Sequence, residues 1–245
     1  MSAPPSPVRK LSGISAIFPA MNDEGTIGGM VTAVRTALGE AAGEYEIIVV
    51  DNGSRDGSGR ILDDLARSIP ELRVIRSPHP LGYGGAVRAG FAAATKEWIF
   101  YTDGDAQYNP LELGRLTAAA ADGIDWVNGY KIRRRDPAHR IILGRLYQHA
   151  VGRLFGIRLR DVDCDFRLFR RSILQRIALE STTGTLGVEL AKRFQDAGCV
   201  LAEVPVSHYP RRHGGSQFFR PGPLWSTARQ LADLWRRLVL RKDRS

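Results

Sequence analysis

A chain of 245 residues with 43% hydrophobic and 25% charged residues has the composition of an ordinary globular protein, long enough to bury a sizeable core. Its net charge of +9 and pI near 10 are not ordinary. Two cysteines exclude a disulfide framework, and no run of 18 apolar residues offers a membrane-spanning helix.

In chain order, residues 1–12 are Pro/Ser-rich without an apolar signal core and are expected to form a flexible tail. Ile14 to Phe18 is a short apolar run, followed by a helix from about Thr26 to Leu38. Glu46 to Val50 (EIIVV) has the continuous β-branched character of a strand buried on both faces. A helix from about Gly57 to Ser68, a strand from Leu72 to Ile75, a helix from Gly84 to Ala94 and a strand from Trp98 to Tyr101 follow. Repeated βα units predict an α/β fold with a mostly parallel sheet and helices on both faces, whose ligands bind at the carboxyl ends of the strands. Polar residues gather at those ends: Asn22, Asp23 and Glu24 after the first strand, Asp51 after the second, Asp103 and Asp105 after the fourth.

The second half is less regular. It suggests a strand near Trp126 to Asn128, a basic helix from about Arg140 to Phe155, a helix from about Val188 to Ala197 and a strand from Val200 to Val206. Without a repeat or a linker, one domain is expected over residues 13–222. Residues 223–245 then form a basic amphipathic helix, with Leu224, Ala228, Leu231, Leu234 or Trp235, and Leu238 at helical spacing. That helix fits either an anionic bilayer interface or packing on the domain.

The charge is segregated. Lys131 to Arg160 holds nine Lys/Arg against Asp136, and His208 to Ser245 holds nine against Asp233 and Asp243, while the remainder is net acidic. Such segregation points to an anionic partner: a phosphate-bearing substrate, a membrane surface or nucleic acid. No nucleic-acid partner is expected, because no recognition motif and no basic–aromatic sheet pattern appears. Cys164 and Cys199 lie in apolar contexts and read as core residues of a protein in a reducing cytoplasm.

The turn after the first strand, PAMNDEG, lacks the Gly-x-Gly-x-x-Gly of a dinucleotide fold, and no Walker A lysine motif exists. The glycine-rich LGYGGAVRAG follows the third strand instead. It reads as a tight turn with close helix packing, or as backbone passing close to a nucleotide. A nucleotide diphosphate can be held instead by Mg²⁺ or Mn²⁺ on one or two carboxylates. In YTDGDAQYNP, Asp105 can reach such a cation, Asp103 the cation or the ribose, and Gln107 can add a neutral oxygen.

Taken together and in order, IFPAMNDEGTI, IIVVDNGSRDGS, LGYGGAVRAGF and YTDGDAQYNP resemble the inverting family 2 glycosyltransferases of the GT-A fold. The Asp-x-Asp-x-Gln followed by proline is similar to the dolichol-phosphate or polyprenyl-phosphate mannosyltransferase branch. The resemblance spans Ile14 to Gln217 and implies that Pro19, Ala20, Asn22, Glu24, Asp51, Gly82, Arg88, Asp103, Gly104 and Asp105 bind the donor. It implies Asp103, Asp105 and Gln107 for the metal and diphosphate. Lys131, Arg140, Arg145, Arg167 and Ser216 would face the acceptor phosphate, and RRHGGSQ would close over the diphosphate through Arg211. Asp165 stands where the branch has glycine, Gln217 where it has lysine and Lys131 where it has arginine, and each change alters charge or fork geometry beside the acceptor.

The reaction so implied is a single in-line displacement from a nucleotide diphosphate sugar (GDP-mannose or a UDP-sugar). Its leaving group is stabilised by the cation and Arg211. A lipid phosphate acceptor needs no strong base. A hydroxyl acceptor does, and Asp163, Asp165 and Glu189 are the candidates, each of which could equally be an ion-pair partner. The expected place of action is the cytoplasmic face of a membrane, with peripheral contact. The alternatives are a hydroxyl-acceptor family 2 enzyme, a nucleotidyltransferase, which should carry a phosphate loop after strand one, and a non-catalytic binding protein.

Overall fold

The computed structural model describes residues 10–132, 138–210 and 221–240, with the side chains of 138–143 and 221–226 left outside the description. Seven strands form one sheet in the order β3-β2-β1-β4-β6-β5-β7. They are β1 (Leu11–Ala20), β2 (Ala42–Asp51), β3 (Leu72–Arg76), β4 (Trp98–Thr102), β5 (Trp126–Ile132), β6 (Phe166–Arg170) and β7 (Leu201–Ser207). All run parallel to their neighbours except β6, which is antiparallel to both β4 and β5.

The period of two along each strand sends alternate side chains into two cores. Ile14, Ala16 and Phe18 of β1, Ile47 and Val49 of β2, and Trp98 and Phe100 of β4 enter one core with α1 (Ile27–Ala41) and α2 (Ser58–Ser68). Leu113 and Leu116 of α4 (Leu113–Ala119) enter the same core. Ile17, Ile48, Val50, Ile99 and Tyr101 enter the other. That side is covered by α3 (Tyr83–Ala93), α5 (Ala138–Phe155), α6 (Leu186–Asp196) and α7 (Pro221–Trp235). The Phe91 ring meets Tyr101 and Phe169 edge-on, and Phe194 meets Phe169 and Trp126 likewise, at centroid distances of 5.1–5.7 Å. Each such pair adds about 0.5–1.5 kcal/mol beyond its buried area.

The expected βα units stand, with two differences. β1 and β2 extend further toward their N-termini, because Leu11 and Gly13 pair with Ala42 and Glu44, residues of low strand propensity recruited by the neighbouring strand. The DFRLFRR segment, expected to meet the acceptor, is β6, inserted between β4 and β5. The C-terminal helix is packed: Leu234 and Leu238 are buried, and Leu231, Trp235 and Val239 lie against the second core. The Trp235 indole N–H donates to Leu154 O at 2.8 Å. Its leucine and tryptophan anchors therefore face the domain. No helix among the described residues is long and apolar enough to cross a membrane.

Candidate functional site

The carboxyl ends of β2, β1 and β4 lie side by side. Ala20 pairs with Asp51, and Ile17 pairs with Tyr101, so the turn after Thr102 comes up beside Pro19. A Cβ on Gly104 would sit 2.6 Å from Pro19 O, which restricts the middle of Asp-Gly-Asp to glycine. Ala106 completes the turn at φ 60°, in the left-handed region, and Asp105 Oδ1 accepts from Gln107 N at 3.0 Å. Gly104→Ala should destabilise the protein by about 1–3 kcal/mol through overpacking against backbone. Denaturant unfolding would measure this, and nucleotide affinity should fall with it.

Asp51 is buried, and its Oδ1 accepts from Ser54 N at 3.0 Å. Two of the residues expected to line the nucleoside pocket, Asn22 and Glu24, brace this loop. Asn22 (φ 58°) accepts from Arg55 N at 2.8 Å, Glu24 accepts from Gly57 N at 2.7 Å, and Glu24 N donates to Asp56 Oδ2. Ala20 is buried and Pro19 half-buried. Asn52, beside Asp51, braces the next loop. Its Oδ1 accepts from Leu81 N at 2.7 Å, and its Nδ2 donates to Gly82 O at 3.3 Å.

The glycine-rich stretch has a packing role. Gly82 (φ 74°) and Gly84 lie against the backbone of Ser181 to Thr183, where any Cβ would fall within 3 Å of a carbonyl oxygen. Gly84 N donates to Thr182 O. Between these glycines stands Tyr83, whose value no local pattern announced. Its hydroxyl donates to Asp103 Oδ1 at 2.5 Å, lies 3.1 Å from Asp165 Oδ2 and pairs with the Tyr101 hydroxyl. One phenol thus joins the Asp-Gly-Asp turn to a carboxylate from the loop before β6, the antiparallel neighbour of β4.

The loop carrying that carboxylate, 161–165, is held from several directions. Arg167, fully buried, donates to Cys164 O (2.9 Å), Val162 O (2.6 Å) and Gly187 O (3.2 Å), with Asp165 Oδ1 at 3.9 Å. Lys131 has a side chain only 6% exposed, bonds Asp163 O and stands 3.6 and 3.5 Å from Asp161 and Asp163. Both residues, expected to meet an acceptor phosphate, instead spend their charge on this loop. Gln148 Oε1 accepts from Val162 N at 2.7 Å, and Asp165 N donates to Tyr108 Oη at 3.3 Å.

Two further expectations change. Glu189 is not a base: it is fully buried and accepts from Glu180 N and Ser181 N, holding the loop that packs on Gly82. Arg88 is not at the donor: its Nη1 donates to Glu180 O at 2.9 Å. It lines a groove of about 620 Å³ between α3 and residues 171–182. Gln107 Nε2 donates to Tyr209 O at 3.1 Å and Tyr209 N donates to Gln107 O, so the residue ties the turn to the end of β7 and leaves Oε1 to reach a cation. Arg145 is exposed on α5, and Asp163 is exposed at the loop. Arg211, Ser216 and the Arg140 side chain lie outside the described residues. Cys164 is buried, its thiol pushed up to about 12 by that burial, as expected of an inert core cysteine.

Burial pushes the Asp103 carboxyl well above the usual carboxylate range, and the charges of Asp165 and Asp105 add to the rise. Burial likewise raises Asp165, with the Arg167 guanidinium pulling against it. The site is an oxygen-only donor set that crowds negative charge, which suits a hard divalent cation. Among the described residues no three His, Cys, Asp or Glu side chains could hold a metal by themselves. Two carboxylates with phosphate oxygens and water complete such a site in the usual Mg²⁺ manner.

A raised carboxylate pKa stabilises the fold below the unfolded value of about 4 and loses that contribution as pH rises through the folded value. Without metal, Asp103→Asn should therefore raise Tm near neutral pH by about 2–4 °C, corresponding to about 1 kcal/mol. Thermal melts across pH would check this, and the gain should vanish at acid pH. With Mn²⁺ added the order should reverse, since only the native carboxylate gains binding energy.

Sheet order and strand-end carboxylates define a GT-A type α/β fold with an anionic crevice at the carboxyl ends of the strands. Residues 15–178 match the family model described as glycosyl transferase family 2, and the chain belongs to that family. The undecaprenyl-phosphate 4-deoxy-4-formamido-L-arabinose transferase of Pseudomonas fluorescens (strain Pf0-1) is 31% identical over 84% of this chain and 60% of its own length. Its namesake from Aeromonas hydrophila is 28% identical over 84% and 62%. The chain thus spans about 60% of the length of these curated relatives. Among solved structures, glucosyl-3-phosphoglycerate synthase from Mycobacterium tuberculosis with phosphoglyceric acid superposes at a TM-score of 0.70, with 20% identity, over 92% of this chain and 79% of that one. The same enzyme with Mn²⁺, UDP and glucosyl-3-phosphoglycerate gives 0.68 and 20%, over 90% and 77%.

Proposed function

We propose that the chain transfers a sugar, with inversion, from a nucleotide diphosphate sugar to a polyprenyl phosphate at the cytoplasmic face of a membrane. The observation that carries this reading is the meeting of Asp51, Asp103 and Asp105 at adjacent strand ends, with Gly104 packed against Pro19. The undecaprenyl-phosphate transferases among the relatives support the acceptor class, and the solved neighbour in complex with Mn²⁺ and UDP supports a cation-held donor.

Asp51 and the two loops braced together, 21–26 and 52–57, take the nucleoside. Asp103 and Asp105 hold Mg²⁺ or Mn²⁺, with Gln107 Oε1 as a further oxygen. When bound, the cation neutralises charge on the departing diphosphate. Arg211 adds a guanidinium to the same leaving group. Because Lys131 and Arg167 are committed to the 161–165 loop, contact with an acceptor phosphate falls to Arg140, Arg145 and Ser216. A phosphate oxygen is already anionic, so its attack on the anomeric carbon requires orientation more than deprotonation.

A hydroxyl acceptor is the second reading. It is favoured by one observation: Asp165 sits beside the Asp-Gly-Asp turn with its pKa raised by burial, the condition of a general base working nearer neutral pH. The test is a panel of GDP- and UDP-sugars with Mn²⁺ or Mg²⁺, in the presence of undecaprenyl phosphate, phosphoglycerate or buffer alone. Nucleoside diphosphate release that depends on undecaprenyl phosphate supports the first reading. Release that depends only on the small hydroxyl acceptor replaces it with the second.

A further inference from the structure

We propose that the outer face of α5, rather than the C-terminal helix, is the surface on which the chain docks to an anionic lipid bilayer. This rests on the reading of the acceptor as a membrane lipid phosphate. The apolar residues with which the C-terminal helix could have entered a bilayer, Leu231, Leu234, Trp235 and Leu238, are used up against the second core. On α5 the position is reversed. Val151 and Phe155 are buried, while Leu146 and Leu154 stand 63% and 57% exposed.

Helical spacing arranges the exposed residues into two adjoining rows. Arg145, His149 and Arg153 recur every four residues, and Leu146, Ala150 and Leu154 recur beside them, all exposed. A basic row next to an apolar row is the pattern of a helix lying in the headgroup region, with leucines in the acyl boundary and arginines on lipid phosphates. α7 extends the same surface. It meets α5 through the Trp235 bond to Leu154 O, and the π-helical turn that follows it, Arg236–Leu240, carries exposed Arg236 and Leu240, the latter 63% exposed.

The inner side of α5 ties this face to the site. Gln148 accepts from Val162 N and donates to Leu159 O at 2.8 Å, latching the helix to the loop that bears Asp163 and Asp165. A bilayer under α5 would therefore hold the crevice where a lipid phosphate emerges from the headgroup layer.

The experiment is co-sedimentation of the full chain with vesicles of phosphatidylcholine containing phosphatidylglycerol, and with phosphatidylcholine alone. The native chain should pellet with the anionic vesicles and be released by salt. The double variant Leu146→Asp/Leu154→Asp should lower the partition coefficient at least about tenfold. Arg153→Gln should weaken binding to anionic vesicles alone. Both should melt like the native protein and keep its rate on a short-chain, water-soluble polyprenyl phosphate, since none of these side chains bonds the site. Binding that survives in the double variant overturns the proposal. So does a native chain that ignores vesicles but changes from dimer to monomer in the double variant, which would assign the face to a second copy. Transfer to short-chain polyprenyl phosphate reports on the acceptor reading independently: its loss with vesicle binding intact would sink that reading and leave the docking face standing.

Discussion

Asp105→Asn should lower sugar transfer by about 10²–10³ while leaving the unfolding midpoint close to that of the native protein. The size follows from losing one of two carboxylates that hold a charge-neutralising cation, worth several kcal/mol at about 1.4 kcal/mol per tenfold. The stability half of the expectation follows from geometry. Asp105 Oδ1 accepts from Gln107 N, a bond that an asparagine oxygen keeps. Asp105→Ala should lose the turn bond as well, adding about 1 kcal/mol of destabilisation to the same loss of rate. Steady-state rates at saturating donor, together with denaturant midpoints, separate the two effects. Asparagine at full activity would mean that the turn, not the charge, is what the position supplies.

Arg167→Met should be the most damaging single change to the fold, by about 3–5 kcal/mol. Methionine fills the volume but leaves three buried carbonyl oxygens, of Val162, Cys164 and Gly187, without their donor, and leaves Asp165 without its nearby cation. Arg167→Lys should recover little, because a point charge cannot serve three acceptors placed around a planar fork. Urea unfolding would show a lowered midpoint at unchanged slope. A variant that folded normally but lost affinity for the acceptor would instead restore Arg167 to the phosphate-binding role.

What could be read in advance follows from how local each signal is. The β-branched run Ile47–Val50 and the apolar Trp98–Tyr101 needed only their own neighbours to be strands, so the crevice made by Asp51, Asp103 and Asp105 was legible in them. β6 was not, since Phe-Arg-Leu-Phe-Arg places an arginine where a buried strand should be apolar. Arg167 is admitted there by carbonyls that the 162–164 loop and Gly187 bring to it. The partners of Lys131, Asp161 and Asp163, lie about thirty residues away in sequence, so no local pattern pairs them with it. Nothing local marks Tyr83, since its three polar neighbours come from β4, the turn beyond it and the loop before β6. Glu189 reads as a catalytic carboxylate on a helix, and only the fold shows it receiving the backbone of Glu180 and Ser181.

The most direct test of the crevice is calorimetric titration of UDP and GDP into the native chain and into Asp105→Asn, each with and without Mn²⁺. Binding of at least one nucleotide that requires Mn²⁺ in the native chain and weakens at least about tenfold in the variant is the predicted result. Nucleotide affinity that is the same with or without Mn²⁺, or the same in both proteins, would contradict a cation held by the Asp-Gly-Asp turn.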